Sequence, residues 1–250
     1  MKTAGNTILI TGGATGIGLA LAEALTKADN VVLICGRRTE RLDEAKRRVP
    51  TIHVLPCDVA DGGGRQALFD WAVRYFPSMN LLINNAGIQR QIDLRTGVKD
   101  LLGGEDEIET NFRAPAQLAA LFIPHLVKQE SAAIVNISSG LGFAPLAFMP
   151  IYCATKAAMH SYTLSLRHQL KGTSLKVFEI IPPTVDTELD RGARARRGQQ
   201  DRGIKPEEVA TATLQALEAD TYEAAIGRAQ WLMAEGRKDP EALFQRMNGS

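Results

Sequence analysis

Thr7-Ile8-Leu9-Ile10-Thr11-Gly12-Gly13-Ala14-Thr15-Gly16-Ile17-Gly18 is the stretch from which the rest of this chain can be read. A β-branched, apolar run ends at Thr11, and glycines at 12, 16 and 18 span the turn into an amphipathic pattern. Small residues in such a turn let the backbone approach a ligand closely. The helix that follows offers unpaired N–H groups and the positive end of its dipole. An anion fits there, and after a first strand the arrangement reads as a dinucleotide site lined by Gly12, Thr15, Gly16, Ile17 and Gly18. A lone glycine turn also serves geometry alone, so the remainder of the chain has to decide.

Outward from this turn, short β-branched runs alternate with longer helical patterns. Strands are expected at 7–11, 31–35, 52–57, 81–84, 133–138, 175–181 and 223–226. Helices are expected at about 17–28, 39–48, 64–75, 105–129, 151–170, 206–219 and 238–247. Several strands are apolar throughout rather than alternating, as strands covered on both faces should be. Strands separated by helices imply right-handed crossovers, hence an α/β fold: one doubly wound, mainly parallel sheet of about seven strands with helices on both faces. Residues 1–250 read as a single domain, because a chain that is 45% apolar can bury one large core and no repeat or linker interrupts it. In such sheets ligands lie beyond the carboxyl ends of the strands, where strand order reverses, and the unusual residues of this chain fall at those ends.

With 29 basic against 28 acidic residues the net charge is +1. That gives no global pull toward nucleic acid or an anionic membrane. No segment approaches the roughly 20 apolar residues of a membrane span, and the polar start offers no signal-peptide core, so a soluble, cytoplasmic protein is expected. Cys35, Cys57 and Cys153 lack metal-ligand spacing and read as buried thiols, and no metal site is expected.

The second expected strand ends Cys35-Gly36-Arg37-Arg38. A carboxylate there would accept from a ribose 2′-hydroxyl, whereas guanidinium groups accommodate a 2′-phosphate. With no acid at that end, Arg37 and Arg38 point to NADP(H); in the other reading they are the solvated start of helix 39–48. The run Tyr152-Cys153-Ala154-Thr155-Lys156 follows a strand end at Asn136-Ile137-Ser138-Ser139. Residues four apart on a helix share a face about 5–6 Å apart. An ammonium so placed favours the ionised phenol, whose ordinary pKa of about 10 is too high for acid–base work at neutral pH. A chance surface pair is the alternative.

On these residues the chain resembles the short-chain dehydrogenase/reductase family, in its form of about 250 residues, over essentially its whole length. The matches are Thr11-Gly12 with Gly16 and Gly18; Asp58-Val59; Asn84-Asn85-Ala86-Gly87; Asn111; Ser139; and Tyr152 with Lys156. Flanking text, including Gly87-Ile88-Gln89 and Ile180-Ile181-Pro182-Pro183, looks most like the DltE-type oxidoreductases of that family. The resemblance implies a Rossmann fold and reversible hydride transfer between a nicotinamide and a carbonyl or carbinol carbon. Tyr152 would give or take the proton, and Ser139, 13 residues upstream, would hold the substrate oxygen. Ser138 falls one residue short of that spacing. Lys156 would lower the tyrosine pKa and bond the nicotinamide ribose. Asn111 would support a water relay, or be an ordinary polar contact. Asp58 would bond the adenine amino group, or cap the following turn, and Val59 would pack on the ring. Asn85, Ala86 and Gly87 would line the ribose and pyrophosphate side, while Asn84 would tie strands together. Pro182 and Val185 would lie along the carboxamide, with Thr187 donating to it or to phosphate. Pro183 stands where the family usually has glycine.

Substrate specificity is expected from 89–103, from 140–149 and from the segment after Thr187. Leu141, Phe143, Pro145, Leu146, Phe148 and Met149 would form an apolar wall for a hydrophobic or medium-sized carbonyl or alcohol substrate, or meet a neighbouring subunit. Arg191, Arg194, Arg196, Arg197 and Arg202 fall in a stretch, 186–203, expected to be mobile: either an anion-seeking lid or a merely solvated loop. His160 shares the helix face of Tyr152 and Lys156 and is given no role. The resemblance implies a homodimer or homotetramer through the helices at 105–129 and 151–170. A nucleotide-sensing regulator of the same fold is the competing class, but it has no need of Ser139, Tyr152 and Lys156 together. A nucleic-acid binder is disfavoured by balanced charge and the lack of an aromatic platform. A sugar epimerase or dehydratase would use a related site, commonly on a longer chain.

Overall fold

Thr7–Thr11 forms β1, which pairs in parallel with β2 (Val31–Gly36) on one side and β4 (Met79–Asn84) on the other. The computed structural model, which describes residues 1–189, 198 and 203–249, extends this centre with β3 (His53–Pro56), β5 (Ala132–Ile137), β6 (Leu175–Ile181) and β7 (Glu223–Ala225). Among the described residues the seven strands are all parallel, in the order β3-β2-β1-β4-β5-β6-β7. The order reverses between β1 and β4, and that switch leaves a crevice at the carboxyl edge.

The helices are α1 (Gly16–Lys27), α2 (Thr39–Arg48), α3 (Gly62–Tyr75), α4 (Val98–Leu102), α5 (Ala114–Leu126) and α6 (Pro150–Gln169), then α7 (Pro206–Glu218), α8 (Arg228–Lys238) and α9 (Pro240–Asn248). Side chains alternate across a strand, so each strand feeds two cores. Ile8, Ile10, Ile34, Ile83 and Val135 pack on one face with Leu21 and Leu25 of α1 and Val209 and Leu217 of α7. Leu9, Leu33, Leu82 and Ile134 pack on the other with Leu68 of α3, Phe122 of α5 and Leu166 of α6. Two covered faces are the reason the strands are apolar throughout.

Three stretches differ from expectation. Between the expected helix start and α5, Glu109–Arg113 forms a π-turn with Asn111 buried in it. A single wide turn leaves the apolar periodicity on either side nearly unchanged, so sequence spacing does not reveal it. The C-terminal region holds two helices rather than one: Asp239 caps α9 by accepting from Ala242 N–H at 2.9 Å, with Pro240 at its first position. Helix α8 buries only Ala229 and Leu232, too few to show a stripe. The short α4 falls in a stretch expected to carry specificity alone. The base of segment 186–203 is fixed, since Ile204 N–H donates to Thr184 O at 3.0 Å and Asp186 N–H to Ile204 O at 2.9 Å. The five arginines of that segment lie outside the described residues. Among the described residues no helix is long and apolar enough to cross a membrane.

Candidate active site

The turn after β1 and the turn after β4 are clamped into one unit. Thr11 Oγ1 accepts from the N–H groups of Asn85 and Ala86, each at 3.0 Å, and Asn85 Nδ2 donates back to Thr11 O at 2.9 Å and Gly12 O at 3.2 Å. The approach leaves no room for side chains. Gly12 has φ +64°, and a Cβ on Gly18 would lie 2.3 Å from Gly12 O. Gly18 therefore acts from behind the surface, letting α1 start close to the turn.

In front of this unit opens a cleft of about 800 Å³, with Gly12, Thr15, Gly16 and Ile17 on its floor and Asn85, Ala86 and Gly87 beside them. At one end Arg37 and Arg38 reach the rim, joined by Arg41 of α2, which the sequence reading missed. Arg38 and Arg41 both bind Glu188, at 3.0 and 2.9 Å, and Arg37 pairs with Glu105. Asp58 and Val59 also line the cleft; Asp58 Oδ1 accepts from Ala60 N–H at 2.9 Å, which is the turn cap weighed for it.

At the other end Ser139, Tyr152 and Lys156 come together, with Pro182, Val185 and Thr187 alongside. Tyr152 and Lys156 lie on one face of α6, both buried, with Lys156 Nζ 5.6 Å from the Tyr152 ring centroid. That ammonium donates to Ile137 O at 3.0 Å. Burial pushes Lys156 down to about 8, while the negative charge of Glu179 pulls it up. Ser139 Oγ accepts from Leu141 N–H at 3.1 Å, an arrangement that uses a lone pair and keeps its proton for another acceptor. The neighbouring Ser138 is committed elsewhere, donating to Glu179 Oε1 at 2.6 Å.

Asn111 does not line the cleft. Its Oδ1 accepts from Ile88 N–H at 2.8 Å, and its Nδ2 donates to Ile88 O at 2.8 Å and to Thr155 Oγ1 at 3.2 Å. It thus pins the segment leaving β4 to α6. Asn84 ties strands, donating to Asn136 Oδ1 at 2.9 Å across the β4–β5 pair.

Of the six residues expected in the apolar wall, Leu141, Leu146, Phe148 and Met149 line the cleft. Phe143 and Pro145 do not. The 3₁₀ turn Gly140–Gly142 carries Phe143 against His160, edge to face with ring centroids 4.7 Å apart, under Arg237 at 5.4 Å. Leu189, Leu232 of α8 and Met247 of α9 complete the wall. The last two sit among charged residues, and nothing local marks them as cleft-facing.

The parallel sheet order and the glycine turn at its switch point give the molecule a Rossmann-type fold, the class of dinucleotide-binding architectures. Comparison with known proteins narrows this: the family model described as short chain dehydrogenase matches residues 6–198, and the chain belongs to that family. It is 50% identical over 248 residues to the uncharacterized oxidoreductase DltE of Bacillus subtilis (strain 168), covering 99% of this chain and 98% of that protein. Among solved structures, a short chain dehydrogenase from Burkholderia cenocepacia J2315 in complex with NADP superposes with a TM-score of 0.85 at 27% identity, covering 99% of each chain. A short chain dehydrogenase/reductase from Burkholderia phymatum in complex with NAD shares the fold, with a TM-score of 0.84 at 24% identity over 100% of this chain and 98% of that one.

Proposed function

We propose that this protein is a soluble, cytoplasmic, NADP(H)-dependent oxidoreductase that interconverts a hydrophobic or medium-sized carbonyl compound and its alcohol, with Tyr152 as general acid and base. The observation that carries the reading is the meeting of Ser139, Tyr152 and Lys156 at one end of a cleft whose other end holds three guanidinium groups. The residues fit the cofactor. A floor without Cβ atoms at Gly12 and Gly16, set at the start of α1, suits a pyrophosphate. Arg37, Arg38 and Arg41 suit a 2′-phosphate that takes the place of the Glu105 and Glu188 carboxylates. Asp58 and Val59 would hold adenine, Asn85 to Gly87 the ribose side, and Pro182, Val185 and Thr187 the carboxamide. Pro183 fixes φ and has no N–H, so it cannot itself donate there. When bound, the nicotinamide supplies or receives the hydride.

The chain's own part is to move one proton and stabilise one developing charge. In reduction, the Tyr152 hydroxyl gives its proton to the forming alkoxide, and the Lys156 ammonium favours the phenolate left behind. Ser139 donates to the substrate oxygen, through a bond that strengthens as negative charge grows there. Lys156 also holds the nicotinamide ribose. Asn111, its side chain committed to Ile88 and Thr155, keeps the β4 exit in place beside them. The molecule works as a homodimer or homotetramer through α5 and α6; Leu164 on α6, 45% exposed, supports that face.

A panel of carbonyl compounds followed by NADPH absorbance tests the reading. Turnover of at least one compound is expected, with Tyr152→Phe losing about 10²-fold or more in kcat while its NADPH Kd is kept. A kcat in Tyr152→Phe equal to wild type would overturn it.

A further inference from the structure

Beneath this end of the cleft lies a carboxylate–imidazole pair that the chemistry above does not use. Glu179 on β6 is fully buried, yet both its oxygens are engaged: Oε1 accepts from Ser138 Oγ at 2.6 Å and Oε2 lies 2.7 Å from His160 Nδ1. A carboxylate can only accept, so Nδ1 carries the proton that faces it. Acids are almost never fully buried without a partner, and an apolar residue between Phe178 and Ile180 would be the cheaper choice for an interior strand.

Its position relates it to the reduction site. Glu179 pairs in register with Asn136 of β5. The next residue on β5, Ile137, supplies the carbonyl that binds Lys156, and the two after it are Ser138 and Ser139. His160 follows Lys156 by four residues, one helical turn along the same face of α6. Other charged and titratable groups surround the pair. Glu223 of β7 stands within 4.8 Å of both His160 and Glu179, but Arg237 of α8 already holds it at 2.8 Å. Tyr152 adjoins Lys156 on its own helix, and the Phe143 ring covers His160. With Glu223 matched by Arg237, Glu179 is the buried negative charge that acts on Lys156.

We propose that Glu179 is a positioning residue for the reduction site: it anchors Ser138, and with it the strand end bearing Ser139, and it supplies the buried negative charge that balances the Lys156 ammonium. This rests on the roles given to Ser139 and Lys156 above. Burial works against that ammonium, Glu179 works for it, and removing the Glu179 charge therefore lets the proton leave at lower pH.

The test is the pH dependence of NADPH binding, by fluorescence titration, and of turnover, in the whole 250-residue chain. Glu179→Gln keeps an oxygen for Ser138 and removes the charge. Its alkaline limb is expected about one pH unit below that of wild type, so that NADPH binds about fivefold more weakly at pH 8 and equally well at pH 6. His160→Gln keeps the carboxylate and a donor to it, and is expected to hold the limb at or above the wild-type pH. A purely structural role would lower rates at every pH and leave the Glu179→Gln limb unmoved; that outcome, or a lowered limb in His160→Gln, overturns the proposal. If Glu179→Gln does not fold, Glu179→Asp serves: the retained charge keeps the limb in place while a displaced Ser139 lowers kcat, and a lowered limb refutes the idea. Failure of the parent reading looks different, as wild-type turnover retained in Tyr152→Phe, and the limb in NADPH binding still reports on Glu179 in that case.

Discussion

Replacing Lys156 by methionine should stabilise the cofactor-free protein at neutral pH, and the gain should fade as pH rises. Burial pushes Lys156 from an ordinary 10.5 down to about 8. At about 1.4 kcal/mol per pH unit, that displacement amounts to about 3 kcal/mol of penalty on the charged form. The sign follows from where the proton sits. Below pH 8 the side chain is an ammonium in both folded and unfolded chains, and the folded state bears the whole penalty. Between about 8 and 10.5 the unfolded chain keeps its proton while the folded one loses it. The penalty therefore shrinks with rising pH, and stability rises across that window. Methionine has a similar length, carries no charge and loses the bond to Ile137 O, worth about 1 kcal/mol. Lys156→Met should thus exceed wild type by about 2 kcal/mol at pH 7, and the difference should narrow by about 2 kcal/mol on going to pH 9.5. Urea titrations of both proteins without cofactor at the two pH values measure it. Groups away from Lys156 titrate equally in both proteins and cancel; making the comparison in a Tyr152→Phe background removes the phenol that Lys156 adjoins. A stability difference that stays constant from pH 7 to 9.5 would show that Lys156 is not a destabilised ammonium in the empty cleft.

The other expectations are simpler. Arg38→Gln should weaken NADPH binding about fivefold at low salt and leave the NADH Kd unchanged, because its guanidinium is exposed and screened; equal losses for both cofactors would remove the 2′-phosphate assignment. Gly18→Ala should cost about 1–3 kcal/mol of stability and most dinucleotide affinity, since the new methyl meets Gly12 O; a wild-type Tm with unchanged NADPH Kd would contradict the clamp. Sedimentation at micromolar concentration should find a dimer or tetramer, and a monomer there would reject the pairing through α5 and α6.

What could be read without coordinates was what repeats or lies close in the chain. The apolar run ending at Thr11 and its glycines mark β1, the turn and α1 because each requirement is local. Tyr152 and Lys156 are legible because a helix puts fourth neighbours on one face. Arg41 was also legible: three arginines at 37, 38 and 41 fall within about one turn of the helix they open. So was Glu179, a lone acid in the apolar run Leu175–Ile181. The clamp of Asn85 on Thr11 was not, because its partners lie 74 residues apart. The π-turn at Asn111 hides inside helical periodicity, and the turn at Gly140–Gly142 redirects Phe143 without any change in composition. Leu232 and Met247 reach the cleft only through tertiary packing of α8 and α9.

The two ends of the cleft use charge in opposite ways, and the difference follows from exposure. Arg37 and Arg38 have side chains 45% and 55% exposed, so their pairs with Glu105 and Glu188 are screened and weak. Weak pairs are what exchange requires, because an incoming anion can displace carboxylates that are held by about 1 kcal/mol or less. Lys156, Glu179 and Ser138 are buried, and there each charge is either matched or strongly disfavoured. Buried charges cannot be exchanged cheaply, but they also need no rearrangement when charge develops beside them. The rim is thus suited to selecting a ligand and the buried end to stabilising a proton transfer. The all-parallel sheet joins them by ending β2 at one and β5 at the other, on either side of the β1–β4 switch.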